Sequence, residues 1–151
     1  MNRGRGGGLL HPGVIGAVAL LLFNDHYLKA AAPGLVTGKL SDVAGLAYFP
    51  LFLQSLWEWC GGPVSKRALL FCCVATALVF AAVKTIPVCH EVYEVGLGWL
   101  QYPVRAWLGA SAPTRVALMM DPTDLVALPA VGLAWGWGRD RSNAAANQVD
   151  K

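Results

Sequence analysis

The chain is short of charge. Asp, Glu, Lys and Arg make up 14% of its 151 residues, against roughly 25% in an average soluble domain. A globule of this size then has too little polar surface to cover itself. A disordered chain is excluded as well, because disorder needs high charge and low hydrophobicity. A nucleic-acid binder would carry a basic stripe, whereas here the net charge is +3 and no basic run exceeds Lys66-Arg67. Cysteine is equally thin. Cys60, Cys72, Cys73 and Cys89 form no CxxC, and no Cys/His pair has zinc-finger spacing. They read as small apolar core residues, and no metal or other cofactor is expected. Ser-His-Asp sets, phosphate loops and dinucleotide fingerprints are missing too. Gly6-Gly7-Gly8 lacks the context of a phosphate loop and reads as linker.

What the chain has is apolar residues, 56% of the total. Four uncharged stretches stand out: Gly6 to Asn24, Val43 to Trp57, Ala68 to Val83 and Leu125 to Gly138. Each is somewhat short against the ~20 residues that a ~30 Å hydrocarbon core asks for. Flanking residues close the gap, since acidic residues sit at interfaces and Lys84 can snorkel along its methylene stem. The reading is an all-α integral membrane four-helix bundle. Its spans lie at about residues 7–24, 42–59, 68–86 and 122–138 of a single domain 1–138. A polar, frayed tail is expected over 139–151. The stretch from His90 to Ala112 is too broken by Glu91, Glu94, Gly96, Gly98, Pro103 and Arg105 to span. It reads as an interfacial or re-entrant segment of the last outer loop. Pro50 and Pro129 should kink helices two and four. A signal peptide cleaved after Ala30-Ala31-Ala32 is a weaker alternative for the first stretch, because Asn24 to Lys29 is long and polar for a cleavage region.

Basic residues in short loops set orientation. With the N-terminus cytoplasmic, Arg3, Arg5, Lys66, Arg67, Arg139, Arg141 and Lys151 lie inside, and the C-terminus is cytoplasmic too. Lys29, Lys39, Lys84, Arg105 and Arg115 fall in the two long outer loops. The expected location is the bacterial inner membrane. The expected partners are membrane lipids, not nucleic acid, with a second copy or another membrane protein as further candidates.

This orientation gathers unusual polar residues at the outer helix ends. Ser41-Asp42 and Asp121-Pro122-Thr123-Asp124 read as helix starts, with a cap, a proline at the first position and a carboxylate near the positive pole. The same residues could serve a reaction centre. Lys39 and Lys84 are candidate anion ligands; Asp42, Asp121 and Asp124 are candidate acids or bases. A Lys84 near membrane depth needs a partner, and Asp124 or Asp42 is expected to provide it. Glu58, between Trp57 and Trp59, reads as solvated at the inner interface and replaceable by Gln. His90-Glu91 with Glu94 lacks the second histidine of HExxH and reads as a polar interfacial face.

The segments Gly38-Lys39-Leu40-Ser41-Asp42, Lys66-Arg67 and Asp121-Pro122-Thr123-Asp124-Leu125, with Gly132 following, resemble the VanZ-like small four-helix bacterial membrane proteins over about residues 9–138. A separate bacterial membrane family built on GKLSD and DPTDL fits the same residues. The resemblance implies a cell-envelope role linked to glycopeptide tolerance. The function read from the chain is therefore a multi-pass inner-membrane protein of the bacterial envelope. The alternatives are an outer-leaflet enzyme acting on a phosphate-bearing lipid or envelope precursor, and an ion or proton pathway. The residues leave open whether it is an enzyme.

Overall fold

The structure is a computed structural model that describes residues 7–31 and 34–149. Arg3, Arg5, Ala32 and Lys151, on which parts of the orientation and cleavage arguments rest, lie outside the described residues. Among the described residues five longer α-helices carry the chain: α1 Pro12–Phe23, α2 Leu35–Trp59, α3 Lys66–Thr85, α4 Pro87–Trp107 and α5 Val131–Val149. Short 3-10 helices cover Gly7–Leu10 and Pro122–Ala130. A π-helical turn, Asn24–Leu28, and an α-turn, Lys29–Ala31, follow α1. Among the described residues there is no strand, so the all-α expectation holds. The chain divides into two compact units, one of residues up to Ala77 together with those from Val126 on, the other Leu78–Leu125.

In the first unit α1 and α5 pack on α2. Val14, Leu51, Leu69, Cys73 and Ala134 form its core, with Leu9, Val18, Tyr48, Val131, Trp135 and Trp137 packed around them. Cys72 and Cys73 are buried apolar residues of α3, as their surroundings in the sequence suggested. Helix α1 opens on His11, whose Nδ1 accepts from the Gly13 amide at 3.1 Å. Pro12 follows at the first helical position, where its missing N–H costs nothing. The His11 ring also stacks on Trp137 at 5.5 Å. Gly13 lets that indole in, since a Cβ there would lie 2.4 Å from a Trp137 ring carbon.

Several boundaries differ from the sequence reading. Helix α2 begins at Leu35, not at Ser41-Asp42. Thr37 supplies the start: its Oγ1 accepts from the Gly34 amide at 3.2 Å and donates to the Gly34 carbonyl at 2.9 Å. The apolar run beyond Lys84 does not prolong α3. Ile86 is extended (φ −112°, ψ 114°) and Pro87 opens α4, because the residue before a proline is pushed out of the α region. The stretch expected as an interfacial or re-entrant segment is helical as far as Trp107, within the 21-residue α4, with Pro103 inside it.

The last rod departs most. It starts as a nine-residue 3-10 helix and becomes α at Val131, just after Pro129. Its buried positions follow that switch. Asp124, Ala127 and Ala130 recur every third residue, and Ala134, Gly138 and Ser142 every fourth, matching three and 3.6 residues per turn. The inward stripe does not end at Gly138, so the helix runs on to Val149 where a frayed tail was expected.

Only α3 is long and apolar enough to cross a membrane by length and composition among the described residues; Pro12–Leu28 is a shorter apolar helix. Helix α2 has the length, but Lys39, Asp42, Gln54 and Glu58 dilute its apolar character.

Gly13→Ala is expected to cost about 1–3 kcal/mol through overpacking against a rigid indole. Denaturant unfolding of purified protein checks this. An unchanged midpoint would show that Trp137 moves aside freely.

Candidate functional site

Lys84 lies in the last turn of α3, where a cation favours the negative helix pole. Its Nζ stands 2.6 Å from Asp124 Oδ2, with side chains 6% and 11% exposed. It also donates to the Met119 carbonyl at 3.4 Å and lies 5.6 Å from the Phe80 ring centroid. Asp124 is brought there by the turn before it. Asp121 Oδ1 accepts from the Thr123 amide at 2.8 Å, and the Asp121 carbonyl accepts from the Asp124 amide at 3.0 Å. Asp124, one of the expected partners, is bonded to Lys84, and Asp121 acts as a cap. The ammonium is turned onto a carboxylate and a carbonyl inside the unit, which is the arrangement of a staple. An anion would have to displace both.

Lys39 and Asp42 belong to the first unit and stand half-buried within α2. The anion-site argument for helix two needed exposed N–H groups beside them. Those groups are absent at Lys39 and Asp42, because the helix has already run for a full turn and its amides bond up the ladder. Ser41, beside them, is occupied otherwise. Its hydroxyl donates to Asp25 Oδ1 at 2.7 Å and accepts from Asn24 Nδ2 at 2.7 Å. Asn24 Nδ2 also donates to the Thr37 carbonyl at 2.7 Å. Asn24 is fully buried because it continues the inward stripe of α1, seven residues after buried Ala17 and ten after buried Val14, with α-helical φ and ψ of −63° and −45°.

Glu58 overturns the expectation of a solvated, replaceable residue. Its side chain is 0% exposed and grips Arg141 through both oxygens, at 3.0 and 2.7 Å. Trp57 and Trp59 are the exposed residues of that turn. Glu58 falls on the inward stripe of α2 with Ala47, Leu51, Gln54 and Ser55, all buried. That spacing of three and four was readable in the sequence and outweighs the aromatic neighbours. Arg141 reaches Glu58 because α5 continues past Gly138. The 3-10 turn at the start lies over the pair, and a Cβ on Gly8 would come 3.2 Å from Arg141 Nη1. The Gln54 amide and the Ser55 hydroxyl are buried beside it on the same stripe without a hydrogen-bond partner among the described residues.

His90 and Glu94 form a tie. His90 Nε2 lies 3.4 Å from Glu94 Oε1, and Glu94 Oε1 accepts from the Leu118 amide at 2.9 Å. Among the described residues no group of three His, Cys, Asp or Glu side chains is arranged to hold a metal ion. Compared with known protein families, curated proteins and solved structures, the chain matches none.

Both ion pairs generate the same expectation. Lys84→Met or Asp124→Asn alone should each cost about 3–5 kcal/mol by stranding a buried charge, and the double change should cost less. Glu58→Gln should likewise destabilise, in place of the neutral outcome the sequence suggested. Unfolding midpoints of single and double variants test this. Strictly additive losses would show that Lys84 and Asp124 are not coupled.

Proposed function

We propose that the chain is a multi-pass integral protein of a bacterial envelope membrane, held together by internal ion pairs and non-catalytic at Lys84 and Asp124. One observation carries this reading: the inverted placement of polar and apolar groups. Glu58, Gln54, Ser55, Asn24 and Lys84 are buried, while α3 turns Leu70, Phe71, Val74, Leu78 and Val79 outward, Phe71 being 74% exposed. In water, a contiguous apolar face of that size would associate or aggregate. In hydrocarbon it is the favoured surface, and charged groups must then turn inward and pair.

Lengths support four crossings. The 25 residues of α2 reach ~37 Å at 1.5 Å per residue. Pro12 to Ala31, helical throughout, reaches ~30 Å. The 3-10 stretch Pro122–Ala130 rises ~2.0 Å per residue, so it adds ~18 Å before α5 begins. That offsets the shortness of the fourth apolar stretch. Helix α4, with Trp99, Leu100, Val104 and Trp107 exposed, suits the plane of the interface. A kinship with VanZ-like proteins is part of this proposal, resting on the four-helix plan and the DPTDL segment. The phosphate-processing enzyme gains no support, since Lys84 is engaged by Asp124.

Two measurements decide. Alkaline carbonate washing should leave the chain in the membrane pellet; release into the supernatant would exclude spanning. Alkaline phosphatase fused at Ala110 should be active, and fusions at Val64 and Lys151 inactive. An active fusion at Lys151 would reverse the C-terminal assignment.

A further inference from the structure

Helix α4 and the extended segment after it, both within the second unit, build a groove that the ion pairs leave unused. The segment is lashed along the helix at successive points. The Val116 amide donates to the Glu94 carbonyl at 3.3 Å and the Leu118 amide to Glu94 Oε1 at 2.9 Å. Arg105 holds the Thr114 hydroxyl. Gly98 lets the segment in: a Cβ there would lie 2.2 Å from the Thr114 carbonyl oxygen. Arg115 therefore stands between two anchored residues. With Glu91, Val92, Val95 and Gly96 it lines a groove of about 380 Å³.

The lining of this groove carries one acidic and one basic side chain. Glu91 and Arg115 are exposed, and neither makes an ion pair among the described residues. The rest of the lining, Val92, Val95 and Gly96, is apolar, and one helical turn away on α4 Val88, Trp99 and Leu100 are exposed. A ligand that fits has a cation and an anion a few bonds apart and an attached hydrocarbon. We propose that this groove binds the headgroup of a zwitterionic phospholipid with a primary ammonium, the ammonium on Glu91 and the phosphate on Arg115. The arginine fork matches phosphate oxygens, and a primary ammonium has N–H groups to give a carboxylate. A quaternary ammonium has none. The proposal rests on the membrane reading for its choice of a lipid as the ligand.

The test uses the full chain in detergent micelles, loaded with equal amounts of phosphatidylethanolamine, phosphatidylcholine and phosphatidylglycerol. Retained lipid is counted by native mass spectrometry. Phosphatidylethanolamine should be retained about tenfold over either competitor, the worth of one charge-assisted contact. Glu91→Gln should abolish the preference over phosphatidylglycerol and leave phosphatidylglycerol itself bound. Arg115→Gln should weaken both. Both residues are exposed, so the helical circular dichroism should not change. Equal retention of the three lipids by the native chain, or a preference untouched by Glu91→Gln, overturns the proposal and leaves at most a surface contact between Glu91 and Arg115. Micelle-held protein can be loaded whether or not it spans a membrane. Carbonate release with intact lipid preference would sink the spanning model alone, and membrane retention without preference would sink the groove alone.

Discussion

A carboxylate with no access to water dictates much of the first unit. Glu58 is fully buried, and an uncompensated ion there would cost several kcal/mol, so its charge has to be met inside the protein. Arg141 meets it with a two-pronged contact. That requirement propagates. Helix α5 must stay helical beyond Gly138 to deliver Arg141. The 3-10 turn Gly7–Leu10 brings Gly7 and Gly8 against the guanidinium, which a Cβ on Gly8 would approach to 3.2 Å. The inward stripe of α2 must accept Gln54 and Ser55 beside the pair. Leu51 and Leu69 close over Gly138, where a Cβ would meet their methyl carbons under 3.0 Å.

The second unit solves the same problem with the opposite sign buried first. Lys84 comes at the end of α3, and Pro87 stops the helix so that the chain turns away just after it. The ammonium is left facing inward, and Asp124 is positioned for it by the Asp121 cap. Phe80, one turn earlier, lies near the ammonium and adds a ring face, a weaker attraction of the same sign. Three of the polar residues expected at the outer helix ends, Lys84, Asp121 and Asp124, are thus tied to one another's positions.

Much of this was legible in residue order. Apolar runs bounded by charges announced α1, α2 and α3, and the pairing of Lys84 with an aspartate followed from the cost of a lone charge. Asp121-Pro122 marked a helix start because cap and proline act locally. The misreadings have one cause: local signals were preferred to the period of burial. Ser41-Asp42 looks like a cap in isolation, yet Thr37 already closes the helix start. Trp57 and Trp59 suggested an interface for Glu58, though they lie on the other side of the helix. His90 to Ala112, expected as an interfacial or re-entrant segment too broken to span, is helical through Trp107 and is not among the helices apolar enough to cross a membrane, and Gly98 is where the following segment packs. Asn24 follows Val14 and Ala17 on one helical stripe, yet its polarity suggested the end of the apolar run rather than a buried position.

The rod from Pro122 to Val149 shows how such a period can do mechanical work. Burial every third residue at Asp124, Ala127 and Ala130 demands three residues per turn. A 3-10 helix has poorer hydrogen-bond geometry than an α-helix, so nine residues of it need a compensating gain. Two gains are present. Pro129 has no N–H to offer an α-ladder, which lowers the cost of leaving that ladder. The stretch also rises ~2.0 Å per residue where an α-helix rises 1.5 Å, so the same residues reach further. Once Pro129 is passed, the buried spacing becomes four at Ala134, Gly138 and Ser142, and the α-helix resumes. In the first unit the resumed α-helix then carries Arg141 to Glu58, and the pitch is set by where the small and ionic residues must face.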